Sequence, residues 1–199
     1  MNDAGEKITF AAEKLQLKIP RLQKGGEFTW KGDIMKVELK QVTADEKHIL
    51  NNLMEKHIYE FSQYDLIPFN DEGLFNDPHI DSYFTEADRF AYLIYADGKL
   101  AGLALVNKRP ECDRPIDWAV AEFWITYHYR HKGVGTAVMD MLLEKFKGIW
   151  HIKYHPKNEV SHIFWNKIAD KASGGNYETV RGSEDYFDGT PAKVLVFRT

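Results

Sequence analysis

The 199-residue chain is expected to fold as an α/β domain, and three observations lead there. Short apolar runs of β-favouring residues are interspersed with segments whose apolar residues recur at helical spacing. Capping and turn residues stand at the boundaries between them. In Ala121–Ala137, AEFWITYHYRHKGVGTA, a strand-like run passes through a basic, glycine-bearing loop directly into an amphipathic helix.

The elements follow in order. VELKQV, residues 37–42, is a short alternating strand. Thr43-Ala44-Asp45-Glu46 is a capping box, after which Ile49, Leu50, Leu53, Met54, Ile58 and Phe61 form one helical stripe. Phe90–Ala96 and Leu100–Asn107, on either side of Asp97-Gly98, read as a hairpin with a type I′ turn. Trp118–Tyr127 is a further strand. Val134, Ala137, Val138, Met141, Leu142 and Phe146 give a helical face ended by Gly148. Ile149–Asn158 reads as a strand, the helix after it stops at Ser173-Gly174-Gly175, and Tyr177–Val180 and Val194–Phe197 are closing strands. No internal repeat or low-complexity tract occurs.

Composition narrows the function classes. A hydrophobic content of 44%, with 12 Phe, 10 Tyr and 5 Trp, suffices for a single core. A lone cysteine, Cys112, excludes an internal disulfide and fits a reducing compartment. No apolar run approaches the ~18 residues of a membrane span, and the charged start MNDAGEKITFAAEK lacks the apolar region of a signal peptide. A cytoplasmic protein without membrane partners is expected. A net charge of −4 argues against nucleic acid as the main partner. The oligomeric state is left open, a homodimer included.

Residues 35–199 are taken as the folded domain and residues 1–34 as an N-terminal extension with two readings. Leu15, Leu17 and Ile19 alternate as in a strand, which suits an edge hairpin or an oligomerisation arm. Alternatively, Trp-Lys-Gly-Asp-Ile before Met35 can be encoded with an AAAGGA resembling a bacterial ribosome-binding site, making Met35 the natural start and the extension an over-long reading frame.

The loop Arg130-His131-Lys132-Gly133-Val134-Gly135 is suited to phosphate. The N–H groups at a helix start are unpaired and sit at the positive end of the helix dipole. Gly133 and Gly135 allow close approach to the backbone, while Arg130 and Lys132 add positive charge. The P-loop and the dinucleotide fingerprint are both excluded, because no Gly-Lys-Ser/Thr is present and Gly133-Val134-Gly135 lacks a third glycine.

Arg-x-x-Gly-x-Gly between a strand and a helix resembles the acyl-CoA-binding motif of the GNAT superfamily of N-acyltransferases. The resemblance runs from about Lys36 to Phe197. IWHIKYHPKN (149–158) matches the family's next, parallel strand, and NEVSHIFWNKI (158–168) its following helix. The chain also resembles a bacterial branch called predicted acetyltransferases, in which Phe-Trp stands where Phe-Tyr is usual. The implied fold is a mixed, strongly twisted central sheet flanked by helices in a single domain. The implied cofactor is acetyl-CoA, its pyrophosphate on the backbone of His131, Lys132, Gly133, Val134 and Gly135, with Arg130 and Thr136 as side-chain donors. The resemblance also implies a backbone N–H within Trp124–Tyr127, assigned to Ile125, that polarises the thioester carbonyl.

Acyl transfer to an amine requires an amine proton acceptor, a donor to the carbonyl and an exit for the thiolate. Glu122, a lone carboxylate in an apolar strand, is the general-base candidate; the competing reading pairs it with a neighbouring Arg or Lys. Trp165 replaces the usual acid Tyr and cannot donate as an acid, so it packs against the pantetheine arm or in the core. Tyr127 leads the substitute acids, ahead of Tyr129, Tyr154 and His155; the thiolate leaving unaided is the alternative. Asn158 contacts the pantetheine arm, caps the last helix, or does both. His151, Lys153 and His155 alternate on one strand face, which solvent exposure or polar neighbours explain; no metal site is expected.

Between His57 and Asp88 no Lys or Arg occurs, against eight acids: Glu60, Asp65, Asp71, Glu72, Asp77, Asp81, Glu86 and Asp88. Aromatic residues interleave with them. In the resembled family this segment lies over the acceptor pocket, and an acidic, aromatic wall attracts a cation. The expected acceptor is a small cationic amine; a solvated acidic surface is the other reading. The rivals to an N-acetyltransferase are a non-catalytic acyl-CoA-binding or regulatory domain and a nucleotide-binding module using the same loop.

Overall fold

A computed structural model describes residues 35–199 and, before them, the backbone of three two-residue strands: β1 (Lys7–Ile8), β2 (Arg21–Leu22) and β3 (Phe28–Thr29). Leu15, Leu17 and Ile19 lie outside the described residues. The further elements are β4 (Val37–Gln41), α1 (Lys47–Asp65), α2 (Ser82–Thr85), β5 (Phe90–Ala96), β6 (Lys99–Asn107), β7 (Trp118–Ile125), α3 (Val134–Lys145), β8 (Ile149–Tyr154), α4 (Glu159–Ser173), β9 (Tyr177–Asp185) and β10 (Pro191–Arg198).

The main sheet runs β1-β4-β5-β6-β7-β8-β10-β9, while β2 and β3 pair separately. It is mixed as expected: β7 and β8 are parallel and the other neighbours antiparallel. Two apolar layers cover its faces. One joins α1 and α2 to the sheet through Leu50, Leu53, Met54 and Tyr83. The other joins α3 and α4 through Val138, Leu142, Trp165 and Ile168. Period-two alternation lets one strand feed both layers, as in β5, where Tyr92 and Ile94 face one and Ala91 and Leu93 the other.

Local chemistry explains the element ends. Glu46 accepts from the Thr43 N–H at 3.3 Å and from its hydroxyl at 3.1 Å, capping a short 3-10 turn that leads into α1. Asp97 and Gly98 both have positive φ, 50° and 72°, as a type I′ turn requires. The strand expected over Trp118–Tyr127 stops at Ile125, because Tyr127–Tyr129 coil into a 3-10 turn that buries Tyr129. The closing strands outrun their apolar stretches. β9 is the sheet edge, so its outward charges, Glu178, Arg181 and Glu184, hide it from an alternation search.

One gap in the sheet bears on function. β7 and β8 pair at Trp118↔Trp150, Ala119↔His151 and Val120↔Ile152, and the ladder ends there. β7 then continues through Ala121–Ile125 with no strand on that side among the described residues.

Candidate active site

A bulge decides which way Glu122 faces. Trp118 and Val120 lie in the α3/α4 layer, and strict alternation would send Glu122 after them. The β6–β7 register slips between Leu105↔Glu122 and Val106↔Val120, so β7 carries one extra residue there. Ala121 and Trp124 accordingly belong to the α1 layer and Phe123 to the opposite one. Glu122 turns toward α1, where His57 Nε2 stands 2.6 Å from its Oε2. Its partner is thus a histidine, not the Arg or Lys of the competing reading.

Other groups converge on this carboxylate. Burial, and the charge of Glu122, push the Asp77 carboxyl up from its ordinary range. On β8, burial works to lower Lys153, but its 2.7 Å ion pair with Glu111 and the charges of Glu122 and Glu184 outweigh it, so its ammonium is held charged. Burial pushes Tyr83 up to about 12 and Tyr186 up as well. Both phenols keep their protons and remain hydrogen-bond donors at neutral pH. The surroundings of Glu122 therefore carry proton donors, a cation and a second carboxylate.

Arg130 is placed differently from the phosphate donor expected of it. Its guanidinium forms two 2.7 Å hydrogen bonds to Glu60, its Nε donates to the Ile125 carbonyl at 2.7 Å, and the Tyr127 ring lies 4.1 Å away. Glu60 also accepts from Trp124 Nε1 at 2.8 Å. His57 and Glu60 are one helical turn apart, so a single face of α1 grips β7 at Glu122 and Trp124 and the loop at Arg130. Burial raises the Glu60 pKa, but the hydrogen bonds from Arg130 and Trp124 and the guanidinium charge carry it below the usual carboxylate range.

The pair is about a fifth exposed, so Arg130→Ala or Glu60→Ala is expected to cost about 2 kcal/mol by leaving a charged partner unmatched. A folded-state pKa below the unfolded one gives stability that is full above the unfolded value and lost as pH falls through the folded value. Thermal melts should therefore separate wild type from Glu60→Gln at pH 7, with the gap closing below about pH 4. A constant gap would count against the ion pair.

The loop itself leaves a row of backbone N–H groups unpaired. His131 and Gly133 take positive φ, 58° and 82°, turning the chain sharply into α3. Among the described residues, the N–H groups from His131 to Thr136 have no hydrogen-bond acceptor, leaving them directed out of the helix start. Lys132 is half-buried, its Nζ 5.9 Å from the Tyr129 ring, and Val134 is fully buried. Gly135 has a packing reason, since a Cβ there would stand 3.3 Å from the Phe164 ring.

The other sequence-predicted residues fall into place around this centre. Ile125 ends β7 opposite Gly102, its side chain buried in the α3/α4 layer. Asn158 caps α4, its Oδ1 accepting from the Ser161 N–H at 3.0 Å. Trp165 is in the core, 5.2 Å from Phe123 and 4.7 Å from Phe164. Tyr127 is 72% exposed against Arg130. Tyr129 and Tyr154 are buried.

Polar neighbours, and not exposure, account for the β8 alternation. His151 is fully buried, accepting from the Glu111 N–H and donating to the Pro115 carbonyl, and His155 is fully buried beside Asp188. Among the described residues no group of three His, Cys, Asp or Glu is arranged around a metal position. No helix among them is long and apolar enough to cross a membrane.

Much of the acidic run is engaged. Glu60 holds Arg130, Asp65 accepts from the Asp188 N–H, Asp81 pairs with Lys47 and Glu86 with Arg89. Sequence reasoning missed His57. The available signal was a histidine three residues after Met54, on the core-facing stripe of α1.

The fold occurs in acetyltransferase structures. The GNAT domain of S. lividans PAT aligns over 92% of this chain and 97% of its own, at 16% identity and TM-score 0.57. An acetyltransferase from Thermus thermophilus aligns over 82% and 97%, at 13% identity and TM-score 0.59. Arabidopsis thaliana Naa50, in complex with the bisubstrate analogue CoA-Ac-MVNAL, aligns over 82% and 99%, at 14% identity and TM-score 0.54. No curated protein matches in sequence. The sequence model of the acetyltransferase (GNAT) family matches residues 49–169, from α1 through the loop to α4, so the chain belongs to the GNAT acetyltransferase family and is an acyl-CoA-dependent N-acyltransferase.

Proposed function

We propose that the protein moves an acetyl group from acetyl-CoA to a primary amine of a small, cationic acceptor, with Glu122 as general base. The observation that carries this reading is the placement of a partly exposed carboxylate, on the α1 side of β7, on the same strand that leads into a loop of unpaired N–H groups.

The residues present fit the cofactor. The N–H groups from His131 to Thr136 suit a pyrophosphate, with Lys132 and the Thr136 hydroxyl beside them. The unpaired side of β7 at Ala121–Ile125 suits an amide-bearing arm that hydrogen-bonds as a strand does, and the Asn158 side-chain N–H₂ is left for the same arm. When bound, acetyl-CoA supplies the acetyl group as a thioester, so that ammonium and thioester give amide, thiol and one proton. Glu122 takes the ammonium proton, and a backbone N–H at the end of β7, at Ile125, donates to the acyl oxygen. With Trp165 in the core and Tyr127 on the surface, the thiolate leaves without an assigned acid.

Asp77 and Glu122 together give the acceptor side its negative charge, and Phe61 and Tyr186, 5.7 Å apart, line it with aromatic surface. Such a wall favours an acceptor with a second positive charge, as in a polyamine, an aminoglycoside or a lysine-like amine.

Thermal-shift titration with acetyl-CoA, CoA, ATP and NAD tests the cofactor. Acetyl-CoA and CoA are expected to stabilise, by about 2.7 kcal/mol at a hundredfold excess over Kd, and ATP and NAD are not. Stabilisation by ATP alone would overturn the cofactor assignment. Thiol release from acetyl-CoA with spermidine, kanamycin, lysine and glutamate then tests the acceptor. Faster turnover with glutamate than with the three cations would remove the cationic class.

A further inference from the structure

Glu122 does not act alone on the acceptor side. His57 reaches it from α1 with its side chain only 13% exposed, and the 2.6 Å contact joins Nε2 to one carboxylate oxygen, Oε2. A neutral imidazole has one N–H, and the tautomer with its proton on Nε2 is the one that donates to Glu122. Oε1 has no hydrogen-bond partner among the described residues.

We propose that His57 is the positioning residue of the general base: its Nε2–H fixes Glu122 by Oε2, leaving Oε1 to take the ammonium proton. The inference rests on the reading of Glu122 as the base. In the step, the ammonium N–H bond breaks, an O–H bond forms at Oε1, and the imidazole keeps its own proton. The same contact makes His57 a control on basicity. Once protonated, the imidazolium places a positive charge against Glu122 and stabilises its carboxylate, which then accepts a proton less readily.

The pH response is set within a crowded field. The titratable groups facing this pair are Glu60 on α1, Asp77 before α2, Tyr83 on α2, Lys153 on β8 and Tyr186 between β9 and β10. All of them stay in place in a His57 variant, so the change in profile reports His57.

The test compares His57→Ala, His57→Gln and Glu122→Gln, using acetyl-CoA and the fastest acceptor of the four amines above, or water if none is acetylated. His57→Ala should lower kcat about tenfold or more with acceptor KM within twofold. His57→Gln, which keeps a donor, should recover most of that rate and move the acid limb of the kcat profile to lower pH. An unchanged acid limb in His57→Gln, or equal losses in both His57 variants, overturns the positioning role while a low Glu122→Gln rate leaves the base assignment standing. Full activity in Glu122→Gln overturns the base assignment, and the positioning role with it. Melting curves of each variant establish that folded protein is compared.

Discussion

Glu122→Gln is expected to lower kcat by about a hundred- to a thousandfold, the range for losing a positioned general base, with acetyl-CoA affinity unchanged within twofold. The substitution is nearly isosteric, and the amide oxygen still accepts from His57 Nε2–H, so the contact that holds the side chain survives. Only the capacity to take a proton disappears. Glu122 is partly exposed and lies in neither apolar layer, so the fold should be indifferent to the change. Steady-state thiol release and a thermal shift with acetyl-CoA check the two halves separately. A kcat within threefold of wild type would show that the amine loses its proton elsewhere.

Gly102→Ala is expected to cost about 3 kcal/mol or more, at the upper end for forcing an extra carbon into a packed site. A Cβ at Gly102 would stand 2.0 Å from the Trp124 carbonyl oxygen and 3.1 Å from the Ile125 Cα. Both neighbours are backbone, so no side chain can rotate out of the way. β6 and β7 must instead separate where β7 presents Trp124 to Glu60 and the chain turns into the loop. For a chain of this size the melting temperature should fall by roughly 6–12 °C. Gly98→Ala is the control: nothing stands within 4 Å of its added carbon, so it bears only the cost of a left-handed turn, about 1 kcal/mol. A Gly102→Ala melt within 2 °C of wild type would refute the close approach.

How much could be read beforehand differs between fold and site. Hairpin, capping box and the end of α4 at Ser173-Gly174 were readable because each depends on residues within a few positions of one another. Asp97-Gly98 needs no distant partner to turn, nor does Thr43 to meet Glu46. The loop after β7 is likewise local, since a positive φ at Gly133 and a helix start suffice to expose its N–H groups. The length of β9 was not readable, because an edge strand needs apolar residues on one face only and its charges mask the pattern.

By itself the sequence determined the α/β class, the order of elements, the strand–loop–helix unit with its unpaired N–H groups, and Glu122 as the one carboxylate of an apolar strand. Only the tertiary structure decided what those groups face. The β6–β7 bulge turns Glu122 from one side of the sheet to the other, an offset that period-two reading cannot register because it assumes an unbroken ladder. Arg130 is 70 residues from Glu60, and His57 is 65 from Glu122. Their pairing depends on how α1 lies across β7, a packing angle set by side chains along the whole interface and carried by no single stretch of chain.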